Sequence, residues 1–476
     1  MSAPANAPRQ ASRGEVLMIA NDFPPVGGAG VQRSLYFAKY LSEHGWRPRV
    51  LTVREVAFPA KDPTLLDELP PEVRVVRTES FELRRLLWLA GRLWPRRGAA
   101  GTARASSAAA APRADAAPAE VPGSARDGGG TVGRRLRELG RALRRWLLVP
   151  DDRMLWAPFA VPAALRQIRR HPVRVIYATV PAYSSAVIGY RVSRRCGLPL
   201  VVDLRDPWTR DPYLPPPTRL HARINSRLEA AVLRHAARLV VISEEMRRGL
   251  RGAYPDLPED KIRVITNGYD AAAFAAAEPV SHGERFVLSY VGSLYAHHRP
   301  ALRAVCAAWS RAAEGDAAFA DRAELEVIGR CDPEILDELA AWPRLAARVL
   351  GYVPHHRAAA HLKGASALLL LIKDLDPARD LITIPGKLFE YLGAGPPILM
   401  VGPEGDAAEI VRATGGRVLR QAELEAIAEA LGALFHRRGS KDSRHDARAD
   451  VRRRYDRRQL AAELAGVLEE AAATPR

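Results

Sequence analysis

Two successive series of short, mostly apolar segments, each separated from the next by a helix-length amphipathic stretch, restrict what this chain can fold into. The first runs through Val16 to Ala20, Arg49 to Val53, Val173 to Val180, Leu200 to Leu204, Leu239 to Ile242 and Ile262 to Ile265. The second runs through Phe286 to Val291, Leu325 to Ile328, Val349 to Tyr352, Ala367 to Ile372 and Pro397 to Val401. Strands that are apolar on both faces belong in parallel sheets covered by helices on both sides. The predicted fold class is α/β, with two doubly wound, Rossmann-like domains facing a cleft.

The pattern also sets the expected boundaries. Residues 1–14 read as a disordered tail, 15–270 as the first domain, 271–285 as a linker, 286–445 as the second domain and 446–476 as a C-terminal helix. Between Pro95 and Thr131 the chain is Ala, Gly, Ser, Pro and Arg with almost no large apolar residue. Such a stretch buries too little surface to fold, so a disordered insertion is expected at about 96–131.

Three loops fall where strands end and helices begin. In the first, Asp22-Phe-Pro-Pro-Val-Gly-Gly-Ala-Gly30, the glycines Gly27, Gly28 and Gly30 precede a helix carrying Val31, Leu35, Ala38 and Leu41. Free amides there face an anion, either a phosphate or a sugar. The loop is no dinucleotide fingerprint, because Arg33 stands where the third glycine belongs; a bare tight turn is the competing reading. The second, Asp203-Leu-Arg-Asp-Pro-Trp208, follows an apolar strand and places Asp206 at a cleft, unless Arg205–Asp206 or Arg–Asp203 pairs only fix the loop. Tyr183, after the preceding strand, is the hydroxyl expected to reach into that cleft.

The third stretch, Asp380 to Leu399, says most. Pro385 and Gly386 open a short helix with unpaired amides, Lys387 lies in its first turn and Glu390 follows one turn later. Amide dipoles with Lys387 suit a diphosphate, and the Glu390 carboxylate suits ribose hydroxyls. An exposed i, i+3 Lys/Glu pair on an ordinary helix is the alternative.

Charge narrows the partner. Lys and Arg total 71 against 54 Asp and Glu, a net charge of +17, which favours a phosphorylated substrate, an anionic membrane or nucleic acid. No basic run interleaved with aromatics supports nucleic acid. One segment, 133–148, sets Leu136, Leu139, Leu143, Trp146 and Leu147 on one helical stripe with arginines beside it, as membrane-interface helices do, or as a helix packed on the first domain does. Cys196, Cys306 and Cys331 have no CxxC or CxxH spacing, which argues against a disulfide framework and a structural zinc site. With no apolar leader and no apolar run near the ~18 residues of a span, a cytoplasmic location is expected, peripheral on the inner membrane face if 133–148 binds lipid.

Taken in order, Asp22 to Gly30, Val240-Val-Ile-Ser243, Val264-Ile-Thr-Asn-Gly-Tyr-Asp270, Tyr290-Val-Gly-Ser293 and Pro385-Gly-Lys-Leu-Phe-Glu-Tyr-Leu-Gly-Ala-Gly-Pro396 resemble the retaining family-four glycosyltransferases of the GT-B fold, in an exopolysaccharide or cell-envelope subgroup. The resemblance implies transfer of a sugar from a UDP- or GDP-linked donor to a glycan or lipid-linked acceptor, with no cofactor and no metal. It casts Asn267 to Asp270 as the hinge and Glu390 as the second glutamate of the family's Glu-x7-Glu pair. Ile382 stands where the first glutamate belongs, so amides around Thr383 are expected to take its place. Gly292 and Ser293 fall on the donor side, and Arg299 or a histidine, His298 among them, stands in for the family's diphosphate cations. Lys387, Arg299, Tyr183 and Asp206 are the expected catalytic set. A nucleotide-sugar epimerase on the same scaffold is the rival enzyme, and a basic nucleic-acid-binding protein the rival of another kind.

Overall fold

The computed structural model describes residues 13–27, 29–54, 62–81, 149–210, 216–373, 384–437 and 449–474. The insertion at about 96–131, the stripe at 133–148, Gly28 and Thr383 lie outside these residues.

Two parallel sheets form the frame. The first has seven strands in the order β3-β2-β1-β4-β5-β6-β7, with β1 Gly14–Ile19, β2 Trp46–Val53, β3 Arg74–Thr78, β4 Val173–Val180, β5 Leu200–Leu204, β6 Arg238–Val241 and β7 Ile262–Val264. The second has six, in the order β10-β9-β8-β11-β12-β13, with β8 Phe286–Val291, β9 Ala323–Ile328, β10 Ala347–Gly351, β11 Ala367–Leu371, β12 Ile398–Val401 and β13 Arg417–Leu419. Strand order reverses between β1 and β4 and again between β8 and β11. In doubly wound sheets the crevice at that reversal, beyond the carboxyl ends of the strands, is where ligands bind.

The apolar runs become strands because both of their faces are covered. Val16 and Met18 pack among Tyr36, Tyr40 and Trp46 on one face of the first sheet, while Leu17 and Ile19 pack among Trp156, Ile188 and Val202 on the other. Helix Ala29–Leu41 follows β1, and Gly45 at φ 81° turns the chain into β2. A side chain is disfavoured at that left-handed position.

Three features depart from the sequence pattern. Strands β3 and β13 were not expected. The C-terminal helical stretch is two helices, Ala449–Arg453 and Arg457–Ala473, the second capped by the Asp456 carboxylate accepting from Arg458 N at 3.0 Å. That second helix also crosses back to the first domain, where Leu460, Leu464 and Leu468 join the core of Val16, Met18 and Tyr36. The crossing runs beside the hinge: Tyr269 N donates to Tyr455 O at 3.0 Å and Arg457 N to Tyr269 O at 3.0 Å. A Cβ on Gly268 would stand 2.3 Å from Tyr455 O, so the approach requires glycine there.

Candidate functional site

A cavity of about 520 Å³ opens between the two sheets at their carboxyl ends. Gly30, Arg33, Phe37, Arg205 and Asp206 form its first-domain wall, and Gly292, Ser293, Ile384 to Lys387 and Glu390 its second-domain wall. Thr266, Asn267 and Gly268, where the expected hinge segment begins, and Arg457 and Leu460 of the returning helix close the floor. The loops that were widely separated in sequence therefore meet at one place.

Lys387 is the most unusual group in it. Its ammonium lies 4.0 Å from the centre of the Tyr290 ring and donates to the Tyr290 hydroxyl, which itself donates to Ser293 O at 3.1 Å. Burial lowers the Lys387 pKa to about 7, and among the described residues no carboxylate pairs with it to offset that burial. Two glycines allow the enclosure. Gly292, at φ 128°, would bring a Cβ to 3.0 Å from Lys387 Nζ, and Gly329, at φ 138°, would drive one to 2.3 Å from Gly292 O.

Helix Gly386–Ala394, which carries Lys387, begins at Pro385 without a side-chain cap. Its free amide dipoles add positive potential at the same point. The helix is held in place from behind: Val291 N donates to the Tyr391 hydroxyl at 2.9 Å, and that hydroxyl donates to Leu369 O at 3.1 Å. The end of β8 and the middle of β11 thus hold the helix with its start facing the cavity. Glu390 lies one turn further on, close enough to act electrostatically on Tyr36 of the opposite domain, whose hydroxyl pKa is raised by burial above all. An anion-binding corner and a carboxylate therefore face one cavity.

The opposite wall is rigid. Arg33 Nε and Nη2 donate to the Asp203 carboxylate, Nη2 also to Ile265 O at 2.8 Å, and Nη1 to Thr266 O at 2.7 Å and Asn267 Oδ1 at 3.3 Å. Asp203 further accepts from the hydroxyls of Tyr177 at 2.6 Å and Thr179 at 3.0 Å. The residue that spoils the dinucleotide fingerprint is thus the partner of Asp203. Arg205 pairs with neither aspartate; it donates to Val180 O at 2.7 Å, Gly30 O at 2.5 Å and Pro181 O at 3.4 Å, tying the glycine loop to the end of β4. Asp270 caps helix Ala271–Ala276 and accepts from the Tyr40 hydroxyl at 2.8 Å and Lys39 Nζ at 3.3 Å. The hinge is in this way anchored to helix Ala29–Leu41.

The structure brings Lys387, Glu390, Gly386, Gly292, Ser293, Asp206 and Gly30 together, while the other expected residues that it describes, Tyr183, Arg299, His298 and Gly27, lie outside the cavity lining. Tyr183 does not reach into the cavity, because its ring stacks on Trp208 at 5.2 Å and its hydroxyl donates to Pro207 O at 2.9 Å. It braces the Asp203–Trp208 loop. Arg299 also points elsewhere, since its Nε donates to Glu338 at 2.7 Å beside Arg303, lining a separate hollow with Trp342. His298 closes the turn Ala296–His298 by accepting from Tyr295 N at 3.1 Å, and burial, ahead of the nearby His297 and Lys387 charges, lowers its pKa to about 4. It is not among the residues that line the cavity. Gly27 does not line the cavity either. Arg33 and Arg457, which do, carry no sequence signal beyond their charge; Arg457 lies over the Tyr36 ring at 3.4 Å.

This two-domain arrangement is the GT-B fold of glycosyltransferases. Residues 121–268 match a family described as a glycosyl transferase 4-like domain. The chain is similar to HepE of Anabaena, solved in complex with UDP and glucose, at 14% identity over 96% of this chain and 99% of that one, with a TM-score of 0.57. It is similar to a glycosyltransferase of Rickettsia africae at 12% identity over 97% and 99%, TM-score 0.59. It also resembles a putative UDP-N-acetylglucosamine 2-epimerase of Listeria monocytogenes at 10% identity over 95% and 94%, TM-score 0.52. No curated protein matches the chain.

Proposed function

We propose that the protein is a glycosyltransferase that moves a sugar from a UDP- or GDP-linked donor to a cell-envelope glycan or lipid-linked acceptor, with retention of configuration. One observation carries the donor assignment. An enclosed ammonium at an uncapped helix start, with no carboxylate paired to it among the described residues, is an unfavourable arrangement until an anion occupies the corner. A diphosphate fits it, and Glu390 one turn away fits the ribose hydroxyls. The match at 121–268 and the fold support transfer as the chemistry.

In this reading the bond between the sugar's anomeric carbon and the diphosphate oxygen breaks while an acceptor oxygen bonds to that carbon from the same face. The departing phosphate oxygen takes the acceptor's proton. Negative charge grows on the diphosphate as it leaves, so the amides and Lys387 stabilise the transition state more than the ground state. Positive groups of the chain do this without a metal. Asp206 and Gly30 face the donor corner across the cavity, on the side that this reading gives to the acceptor.

The acceptor's lipid link rests on the 133–148 stripe, which would hold the cleft at an anionic membrane surface; among the described residues no helix is long and apolar enough to cross a membrane. Incubation with labelled UDP- and GDP-sugars tests the assignment. Free nucleotide should appear in quantity only when an envelope glycan or lipid extract is added. Interconversion of the donor sugar without acceptor would identify an epimerase instead.

A further inference from the structure

Away from the cleft, three side chains from three elements converge on the second domain. His282 lies on the linker, Glu326 on β9 and His361 on helix His355–Gly364, and one ligand atom of each lies within 4.8 Å of the others. Glu326 is fully buried. Its Oε1 faces Arg348 Nη2 at 2.5 Å, while its Oε2 faces His361 Nδ1 at 3.1 Å and the Ser289 hydroxyl at 3.2 Å. His282 Nε2 is enclosed and has no hydrogen-bond partner. A buried polar atom without a partner costs free energy that a ligand at that point recovers.

We propose that His282, Glu326 and His361 form a binding site for one divalent transition-metal ion of the zinc class, which clamps the interdomain linker to the second domain. The donor set is two imidazole nitrogens and a carboxylate oxygen, which suits zinc or cobalt rather than magnesium or calcium. Tetrahedral ligands at zinc distances stand about 3.3–3.5 Å apart, so the three atoms need to close only modestly around the ion, leaving one position for water. Glu326 Oε2 is the ligand oxygen, because Oε1 is held by Arg348. Arg348 also pairs with Glu324 at 2.6 Å and Glu324 with Arg285 at 3.0 Å, so each guanidinium has a carboxylate and Glu326 is held in orientation.

The backbone around the site is already in place. Val280 N donates to Ala360 O at 3.0 Å, and a Cβ on Gly364 would stand 2.1 Å from Val280 O. The linker therefore runs tightly along the helix that presents His361. Occupation of the site would fix His282, four residues before β8, to strand and helix at once. The cysteine spacing that argued against a zinc site does not bear on these ligands, which come from distant points of the chain.

The test uses the full chain, stripped with chelator and titrated with Co²⁺, then with Zn²⁺. One equivalent of Co²⁺ is expected to give the visible absorption of a low-symmetry nitrogen/oxygen site, to be displaced by Zn²⁺, and to raise the melting temperature by several degrees. Mg²⁺ should do neither. His282→Ala, a change on the linker, should abolish both the band and the thermal shift while leaving the metal-free melting temperature close to wild type. His361→Gln should do the same, and a His44→Ala control should change neither signal. Absence of a one-equivalent band in the wild type, or a full band and thermal shift in His282→Ala or His361→Gln, would overturn the proposal.

Discussion

The Arg33 guanidinium pairs in bidentate fashion with the Asp203 carboxylate, with Nε 2.9 Å from Oδ2 and Nη2 2.9 Å from Oδ1, both side chains buried at the cleft wall. Because Nη1 reaches Thr266 and Asn267, this single pair joins helix Ala29–Leu41, β5 and the segment that connects the two domains. Burial alone would push the Asp203 carboxyl up; the Arg33 guanidinium and the Tyr177 hydroxyl outweigh it and hold it below its ordinary value.

Arg33→Leu should therefore cost stability by about 3–5 kcal/mol, because it leaves Asp203 buried and unpaired. Wild-type stability contributed by Asp203 is fully present above its unfolded pKa and is lost as pH falls through its lower folded value. That contribution should be constant from pH 8 to 5 and be lost only below about pH 4. Urea unfolding across that range checks both statements. A variant within about 0.5 kcal/mol of wild type would mean that water reaches the site and replaces the pair.

The helix Arg457–Ala473 should be indispensable to the first domain although it ends the chain. Leu464 is fully buried in the core formed with Val16 and Met18, so Leu464→Ala is expected to cost about 2–5 kcal/mol. Ending the chain after Asp456 should leave insoluble protein. A soluble truncated chain with cooperative unfolding would show that the first domain closes its core by other means.

How much of this was legible before the structure depends on what each residue needs. Strands such as Leu200–Leu204 and Ala367–Leu371 announced themselves, because burial on both faces forces apolar side chains at nearly every position, Asp203 being the exception. Strand β3, Arg74–Thr78, did not: it is an edge strand with no fully buried residue. Lys387 and Glu390 were legible because a helix start, a cation and a carboxylate fall within six residues. Arg299 misled because its true partner, Glu338, lies 39 residues away in sequence. The same distance effect hid Arg33–Asp203 and the His282, Glu326, His361 cluster, whose meaning exists only once strands and helices bring them together.

Removing divalent ions should separate two roles of metal. Transfer at 25 °C should proceed unchanged in excess EDTA, since amides and Lys387 neutralise the leaving group, while the melting temperature falls through loss of the ion held by His282, Glu326 and His361. Complete inactivation by EDTA that Mg²⁺ restores would place a metal at the diphosphate after all.

Glu390→Ala and Lys387→Ala should each reduce kcat/KM by about 2–4 kcal/mol equivalent, the cost of losing one charged hydrogen bond in a desolvated site. Both variants should remain folded, because neither side chain forms part of the apolar core. Near-native kcat/KM in both would move the donor elsewhere, and circular dichroism would separate that outcome from unfolding.

The pH dependence of donor binding should report Lys387 directly. Its free-state pKa of about 7 means that above neutrality the side chain is largely uncharged, and a bound diphosphate must recharge it. Binding then takes up a proton, so affinity for a UDP- or GDP-sugar should be flat below pH 7 and weaken toward tenfold per unit above it, until the pKa of the bound state is passed. A nucleotide sugar is the right ligand, because its diphosphate keeps a constant charge over this range, unlike free UDP or GDP. Calorimetry at pH 8 in buffers of different ionisation enthalpy should find uptake approaching one proton per donor bound. In Lys387→Arg the slope and the proton uptake should both vanish, since a guanidinium stays charged throughout. If wild type binds the donor with no proton uptake at pH 8, or if Lys387→Arg keeps the same slope, then Lys387 is not the group that meets the diphosphate.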